Sequence, residues 1–173
     1  MQGTHAVAYS WTARVAEVEA RAAVIQPSPG DRSHSARPIR QGIMKIKLTT
    51  VHVSDQDQAL RFYTEVLGFT KKADFSQGPF RWLTVTSPDD PDGCELQLAL
   101  ADDPAAKAYQ QARFAQQQPA LMFFSDDLEA DCARIRAAGG DLAMPPTAVT
   151  GSTIAQVHDT VGNLLQLTQL ARW

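Results

Sequence analysis

Hydrophobic and polar positions recur with two different periods along most of this chain, and the switches between them predict its elements. From Ile46 to Val53 apolar and β-branched residues form a strand pattern. Ser54-Asp55 then offers a helix N-cap, and Ala59, Phe62, Tyr63, Val66 and Leu67 fall three and four apart on one helical stripe. Gly68 supplies the left-handed stop. Phe69 to Phe75 and Phe80 to Thr86 read as strands joined by a Ser-Gln-Gly-Pro turn. Asp89-Asp90-Pro91-Asp92-Gly93 is a tight turn, and Cys94 to Ala99 a fourth strand.

The same order then returns. Pro119 to Phe124 reads as a strand, Asp126-Asp127 as a cap, and Leu128, Cys132, Ile135 and Ala138 as the stripe of a helix ended by Gly139-Gly140. Leu142 to Met144, Ser152 to Val157 and Asn163 to Leu167 complete three more strands. Asp55, Leu60, Tyr63, Val66 and Gly68 match Asp127, Cys132, Ile135, Ala138 and Gly140, each 72 residues on. Asp90, Gly93, Leu96, Gln97 and Leu98 match Asp159, Gly162, Leu165, Gln166 and Leu167, each 69 residues on, so one loop has lost three residues. The reading is α+β: two βαβββ modules in tandem, at about 44–103 and 119–170, with a linking helix at about 104–118 opened by Pro104.

Composition adds a boundary. The net charge is -3, but residues 1–43 carry five Arg against three acidic residues while the remainder carries 11 Lys+Arg against 16 Asp+Glu. Pro27 to Gly42 has no helical or strand period and little to bury, so ordering it would cost entropy without return. Trp11 to Ile25, rich in Ala, Val, Glu and Arg, has the composition of a weak helix and lacks the basic start and unbroken apolar stretch of a signal peptide. Residues 1–43 are read as a disordered or non-native extension, with the domain spanning 44–173. The acidic balance gives no reason to expect nucleic acid, and no apolar run approaches the length of a membrane span. Two cysteines, Cys94 and Cys132, are too few for a disulfide framework and point to reduced thiols in the cytoplasm.

Paired βαβββ modules resemble the vicinal oxygen chelate superfamily, the glyoxalase, bleomycin-resistance and extradiol dioxygenase fold. The string V-S-D-Q-D-Q-A-L-R-F-Y-T-E-V-L-G-F at 53–69 is similar to its most recognisable signature. D-D-L-E-A-D-C-A-R-I-R-A-A-G-G at 126–140 and D-T-V-G-N-L-L-Q-L at 159–167 resemble its second-module counterparts. The resemblance implies a half-barrel sheet and a homodimer, and it is specific for fold rather than activity, since lyases, epimerases, dioxygenases and drug-sequestering proteins share the scaffold.

The resemblance also implies where a metal would sit. Metal-holding members carry ligands on the first and last strands of each module, and the matching positions here are Leu48, Gln97, Ala120 and Gln166. Leu and Ala cannot coordinate, and two neutral glutamines without an imidazole or carboxylate would hold Zn²⁺, Ni²⁺ or Mn²⁺ poorly. The expectation is therefore no metal and no other cofactor, a divalent ion remaining the alternative if the strand register differs. Strand alternation places His52 with Leu48 and Glu95 with Gln97, which makes Glu95 and His52 candidate acid–base groups. Arg81 and Trp82 alternate, so only one of them faces the site: Arg81 would favour an anionic ligand, Trp82 an aromatic one.

Two functions fit. One is a small-molecule binding protein, with Leu48, Ala120 and Met122 as apolar floor and His52, Glu95, Gln97 and Gln166 as orienting groups. The other is a glyoxalase-like lyase, an isomerase or a dioxygenase. The glyoxalase reaction needs a metal to polarise an enediolate, so Leu48 and Ala120 weigh against it.

Overall fold

The computed structural model describes residues 44–171; the expectations for residues 1–43 lie outside the described residues. Two four-stranded sheets form, ordered β1-β4-β3-β2 and β5-β8-β7-β6. The first is built from β1 (Leu48–Val53), β2 (Thr70–Gln77), β3 (Phe80–Thr86) and β4 (Glu95–Leu100). The second comprises β5 (Leu121–Phe124), β6 (Met144–Val149), β7 (Ser152–His158) and β8 (Leu164–Leu170). In each, the first strand lies parallel to the last while the inner pairs are antiparallel. The two modules thus repeat one topology, as the 69- and 72-residue offsets require, and the sheets do not close into a barrel.

The first helix, α1 (Gln56–Arg61), is capped by Asp55, whose carboxylate accepts the Gln58 N–H at 2.8 Å. It runs into a π-helical turn, Phe62–Val66, marked by the Leu67 N–H donating to the Phe62 carbonyl. A π-turn accommodates one extra residue, which turns both Phe62 and Tyr63 into the core. It also corrects the sequence alignment at the helix end. The glycines with positive φ are Gly68 (+84°) and Gly139 (+85°) rather than Gly68 and Gly140. α2 (Pro104–Ala115) links the modules, and its first N–H groups are accepted by Asp103. α3 (Leu128–Ala137) buries Leu128, Cys132 and Ile135 of the expected stripe, while Ala138, its fourth member, lies at the C-cap and is exposed. Burial pushes the Cys132 thiol above its ordinary range, as befits a small core residue.

β6 is the clearest departure from the pattern. The strand expected over Leu142 to Met144 begins only at Met144 and runs through Pro145-Pro146 to Val149. It is an edge strand, and its pairing with β7 skips from Met144 to Thr147, so the prolines occupy an irregularity where no N–H is needed.

One continuous core is shared by the modules. Val51, Leu83, Val85 and Leu98 of the first sheet and Ala155, Val157, Leu165 and Leu167 of the second meet Phe62, Tyr63, Leu128, Cys132 and Ile135. Phe69 meets Phe123 of β5 edge-on at 5.0 Å, tying the turn before β2 in one module to the first strand of the next. Polar bonds reinforce the join: Ser54 N–H donates to the Val161 carbonyl, and Gln110 Nε2 donates to the carbonyls of His52 and Val161.

Candidate ligand-binding site

Because strand residues alternate between faces, the shared core assigns the opposite, open face of each sheet. On β1, Val51 and Val53 are buried in the core, leaving Leu48, Thr50 and His52 on the open face. On β4, Leu96 and Leu98 are buried, leaving Glu95, Gln97 and Ala99. Register then lays these side chains out as rows. Leu48 lies beside Glu95, Thr50 beside Gln97 and His52 beside Ala99. Thr84 continues the Gln97 row on β3, and Ala73 extends it on β2. Two positions along, Trp82 and its cross-strand partner Phe75 continue the row of Ala99 and His52.

This register decides between Arg81 and Trp82. Trp82 stands on the open face, stacked on Phe75 at 6.3 Å and tilted against Phe80 at 6.4 Å. Arg81 is on the helix side, donating to both Asp74 carboxylate oxygens at 2.8 and 3.0 Å and to Asp57 at 2.6 Å. The Arg81 guanidinium holds the Asp74 carboxyl below the usual carboxylate range, and the two acids hold the guanidinium firmly charged. An anion-binding role for Arg81 would have to break this fork, so the aromatic branch is the one the fold takes.

The polar groups of the first open face are pre-oriented. Thr84, fully buried, donates from Oγ1 to Glu95 Oε2 at 2.7 Å. Thr50 Oγ1 donates to Gln97 Oε1 at 3.0 Å. Neither threonine was singled out from the sequence, although the pairing of β3 with β4 makes Thr84 the cross-strand neighbour of Gln97. His52 is half-buried, and its Nδ1 is buried with no hydrogen-bond partner among the described residues. Its carbonyl is held at the base of the linking helix by Gln110 and Asn163.

The second sheet repeats the plan with different chemistry. Met122 lies beside Gln166, which lies beside Gln156 and Met144 in the next strands. Phe124, Thr168 and Ile154 form the following row. Gln166 Nε2 donates to Thr168 Oγ1 at 3.2 Å. Ala120 stands just before β5, its N–H bonded to the Leu164 carbonyl, and packs at the margin of the core. The structure therefore gathers Leu48, His52, Glu95 and Gln97 on one face and Met122 with Gln166 on another. Each glutamine finds its hydrogen-bond partner within its own module.

The four inherited ligand positions do not fit a divalent ion. Leu48 and Ala120 have no side-chain donor atom, Gln97 Oε1 already accepts from Thr50, and Gln166 offers one neutral amide oxygen. His52 lies four strand residues from Leu48, roughly 13 Å, too far to complete a set. Among the described residues no three His, Cys, Asp or Glu side chains come together as a metal site.

The network beside this face is structural. Asp159, fully buried, accepts from the N–H groups of Val161 and Asn163, from Asn163 Nδ2 and from Tyr63 Oη. Burial raises the Asp159 carboxyl above its ordinary range in spite of those donors, and burial raises the Tyr63 hydroxyl further still. His158, at the rim, bonds Asp141 at 3.0 Å. A recess of about 380 Å³ lies between Gly68-Phe69, Ser87–Asp89 and α3, and another of about 490 Å³ beside the β6–β7 hairpin. Neither is lined by the predicted site residues.

Comparison with known proteins gives these faces a context. The profile of the Glyoxalase/Bleomycin resistance protein/Dioxygenase superfamily matches residues 45–167. Uncharacterized protein YurT of Bacillus subtilis (strain 168) is 48% identical over 126 residues, covering 73% of this chain and 99% of YurT. A probable lactoylglutathione lyase of Vibrio cholerae serotype O1 is 29% identical over 133 residues, covering 72% of this chain and 90% of that protein. The crystal structure of TnmS3, an antibiotic binding protein from Streptomyces sp. CB03234, superposes with a TM-score of 0.58 at 30% identity, covering 76% of this chain and 99% of TnmS3.

Proposed function

This chain belongs to the Glyoxalase/Bleomycin resistance protein/Dioxygenase superfamily, and within it we propose that it binds a small aromatic molecule without a metal. The reading is carried by one observation: where metal-holding members keep their ligands this chain has Leu48 and Ala120, while Trp82 and Phe75 stack on the same open face as Leu48. An apolar, aromatic wall with a few fixed polar groups is the chemistry of a sequestering site. The likeness to TnmS3, an antibiotic binding protein, supports this reading.

The protein acts, on this reading, in the cytoplasm as a homodimer. Leu48, Phe75, Met122, Phe124 and Leu170 are exposed large apolar side chains on the two open faces, and a second copy laid across them would deepen both sites while covering apolar surface. Light scattering at micromolar concentration is the check, with a dimer expected.

A second reading has one observation in its favour. Glu95, steadied by Thr84, is placed as a general base for a metal-independent isomerase or lyase. The two readings separate in one set of experiments. Trp11 and Trp173 are replaced by Phe, so that Trp82 is the only tryptophan, and a panel of planar aromatic compounds is titrated in EDTA. Saturable quenching that Trp82→Ala abolishes supports the binding site. Stoichiometric binding of Ni²⁺, Zn²⁺ or Mn²⁺, with metal-dependent turnover of a glutathione hemithioacetal, would overturn it. Metal-free turnover lost in Glu95→Gln would favour the second reading.

A further inference from the structure

We propose that the ligand of this site is an aromatic cation, held at one end by the Trp82 wall and at the other by Glu95. The inference rests on the binding reading above and specifies its ligand.

The argument is one of charge placement. Among the described residues, Glu95 is the only carboxylate at a paired open-face strand position, and none of those positions is Lys or Arg, Lys72 lying in the irregularity of β2. The cations of the first sheet's strands are committed elsewhere. Arg81 forks onto Asp74 and Asp57 on the helix side, Lys71 pairs with Asp74, and Lys72 reaches the Pro91 carbonyl and Asp92 in the loop after β3. Among the described residues no ion pair to Glu95 forms. Its Oε2 is fixed by Thr84, which leaves Oε1 for an incoming donor. Charge unopposed on a half-buried face is costly unless a partner arrives, and a ligand ammonium is the partner that chemistry supplies.

The aromatic end is set by register. Trp82, flanked by Phe75 and Phe80, lies in the row of Ala99, four residues along β4 from Glu95. That is roughly 13 Å at strand spacing, less the reach of both side chains. Between them stand Thr84, Thr50 and Gln97, neutral and already hydrogen-bonded. The site thus favours a flat ring system joined to a protonated amine by a spacer several bonds long. The second sheet cannot substitute for this polarity: the position that repeats Glu95 there is Leu164, and the one that repeats Trp82 is Ile154.

A matched pair of probes tests this. Dansylcadaverine carries a naphthalene ring and a primary ammonium separated by a five-carbon chain, and N-acetyl-dansylcadaverine is the same molecule without the charge. Both are titrated into the full chain by dansyl anisotropy and by energy transfer from Trp82 in the Trp11→Phe, Trp173→Phe background. The free amine is expected to bind about tenfold or more tighter than the acetyl compound at low salt, as a charge-assisted hydrogen bond would give. The preference should shrink as salt is raised. Glu95→Gln should erase the preference, bringing the free amine's affinity down to that of the acetyl compound. Thr84→Val, which keeps the carboxylate but frees it, should reduce the preference in part, and Trp82→Ala should weaken both probes alike. Equal affinities in the unaltered protein, or a preference that survives Glu95→Gln, would overturn the cation while the aromatic site still stands. Failure of both probes to bind would overturn the inference together with the reading beneath it.

Discussion

Asp159 offers the sharpest test of the packing logic, because two opposing effects meet on one carboxylate. It is fully buried, and four donors converge on it: the Val161 and Asn163 N–H groups at 3.0 and 2.7 Å, Asn163 Nδ2 at 2.6 Å and Tyr63 Oη at 3.3 Å. Asp159→Ala leaves these donors without their acceptor. Each buried unsatisfied group costs about 1–3 kcal/mol, but the losses are not additive, and removing one member of a buried charged network costs about 3–5 kcal/mol. A loss of about 4 kcal/mol is expected, a large part of the roughly 5–15 kcal/mol available to a domain. With a urea m-value of about 2 kcal/mol/M, the midpoint should fall by about 2 M.

Asp159→Asn isolates the charge. It keeps an acceptor for the two N–H groups but presents its own amide hydrogens to Asn163 Nδ2, so a smaller penalty of about 2 kcal/mol is expected. Its pH dependence then reads the sign. The folded-state pKa of Asp159 is raised by burial, so its contribution is fully present below the ordinary carboxylate value of about 4 and is lost as pH rises through the folded value. The Asn variant lacks that titration, so its penalty relative to the parent should shrink as pH rises through that window. A penalty that grows with pH would mean that the four donors outweigh burial, and would refute the reasoning.

Three further outcomes are expected. Gly139→Ala places a Cβ in open space at a φ of +85° and should cost about 1–2 kcal/mol through backbone strain alone. Gly140→Ala, whose Cβ would meet Ile135 at 2.5 Å and Val66 at 3.0 Å, should cost at least as much by overpacking; thermal melts of the pair report the order. Asp74→Asn breaks the Arg81 fork and should cost about 1 kcal/mol at neutral pH. Because the Asp74 pKa is depressed, this contribution is present above about pH 4 and lost as pH falls through the folded value, so parent and variant should converge in acid. Gln110→Ala removes the donor to the His52 and Val161 carbonyls and should lose about 2 kcal/mol, with faster amide exchange in the turn before β8.

What could be read from the sequence was what local pattern dictates. Asp55 and Asp127 are caps because a short carboxylate can accept from the first turn, and both do so. β3 spans Phe80–Thr86 as its β-branched and aromatic run requires. The π-turn was hidden, since adding a residue at Phe62–Val66 leaves the apolar stripe intact and displaces only the helix end. The strand through the two prolines of β6 is missed by the pattern because the sequence does not say which strand lies at an edge. Trp82 against Arg81 was undecidable for a related reason: a one-residue shift exchanges the faces, and only pairing with β4 removes the ambiguity. The tie of Arg81 to Asp57 and Asp74 crosses 24 and 7 residues, beyond any local period.

The repeat itself separates fold from function. Residues that face the shared core agree between modules: Leu96 and Leu98 with Leu165 and Leu167, Tyr63 with Ile135. Each pair must fill similar space against similar neighbours, so divergence there costs packing energy. On the open faces, where most side chains are exposed or half-buried, that constraint is weaker, and the modules part company. Only Gln97 and Gln166 coincide, while Thr50 stands against Met122, Glu95 against Leu164 and Trp82 against Ile154. A symmetric metal would call for matching donors from both modules. Here the carboxylate of Glu95 and the stacked Trp82 and Phe75 are collected on the first sheet, while the second carries Met122, Phe124, Met144 and Ile154. Such a surface can orient an asymmetric ligand, because only one way round brings its polar end to Glu95. The chemistry of the site is written in the positions where the two halves disagree.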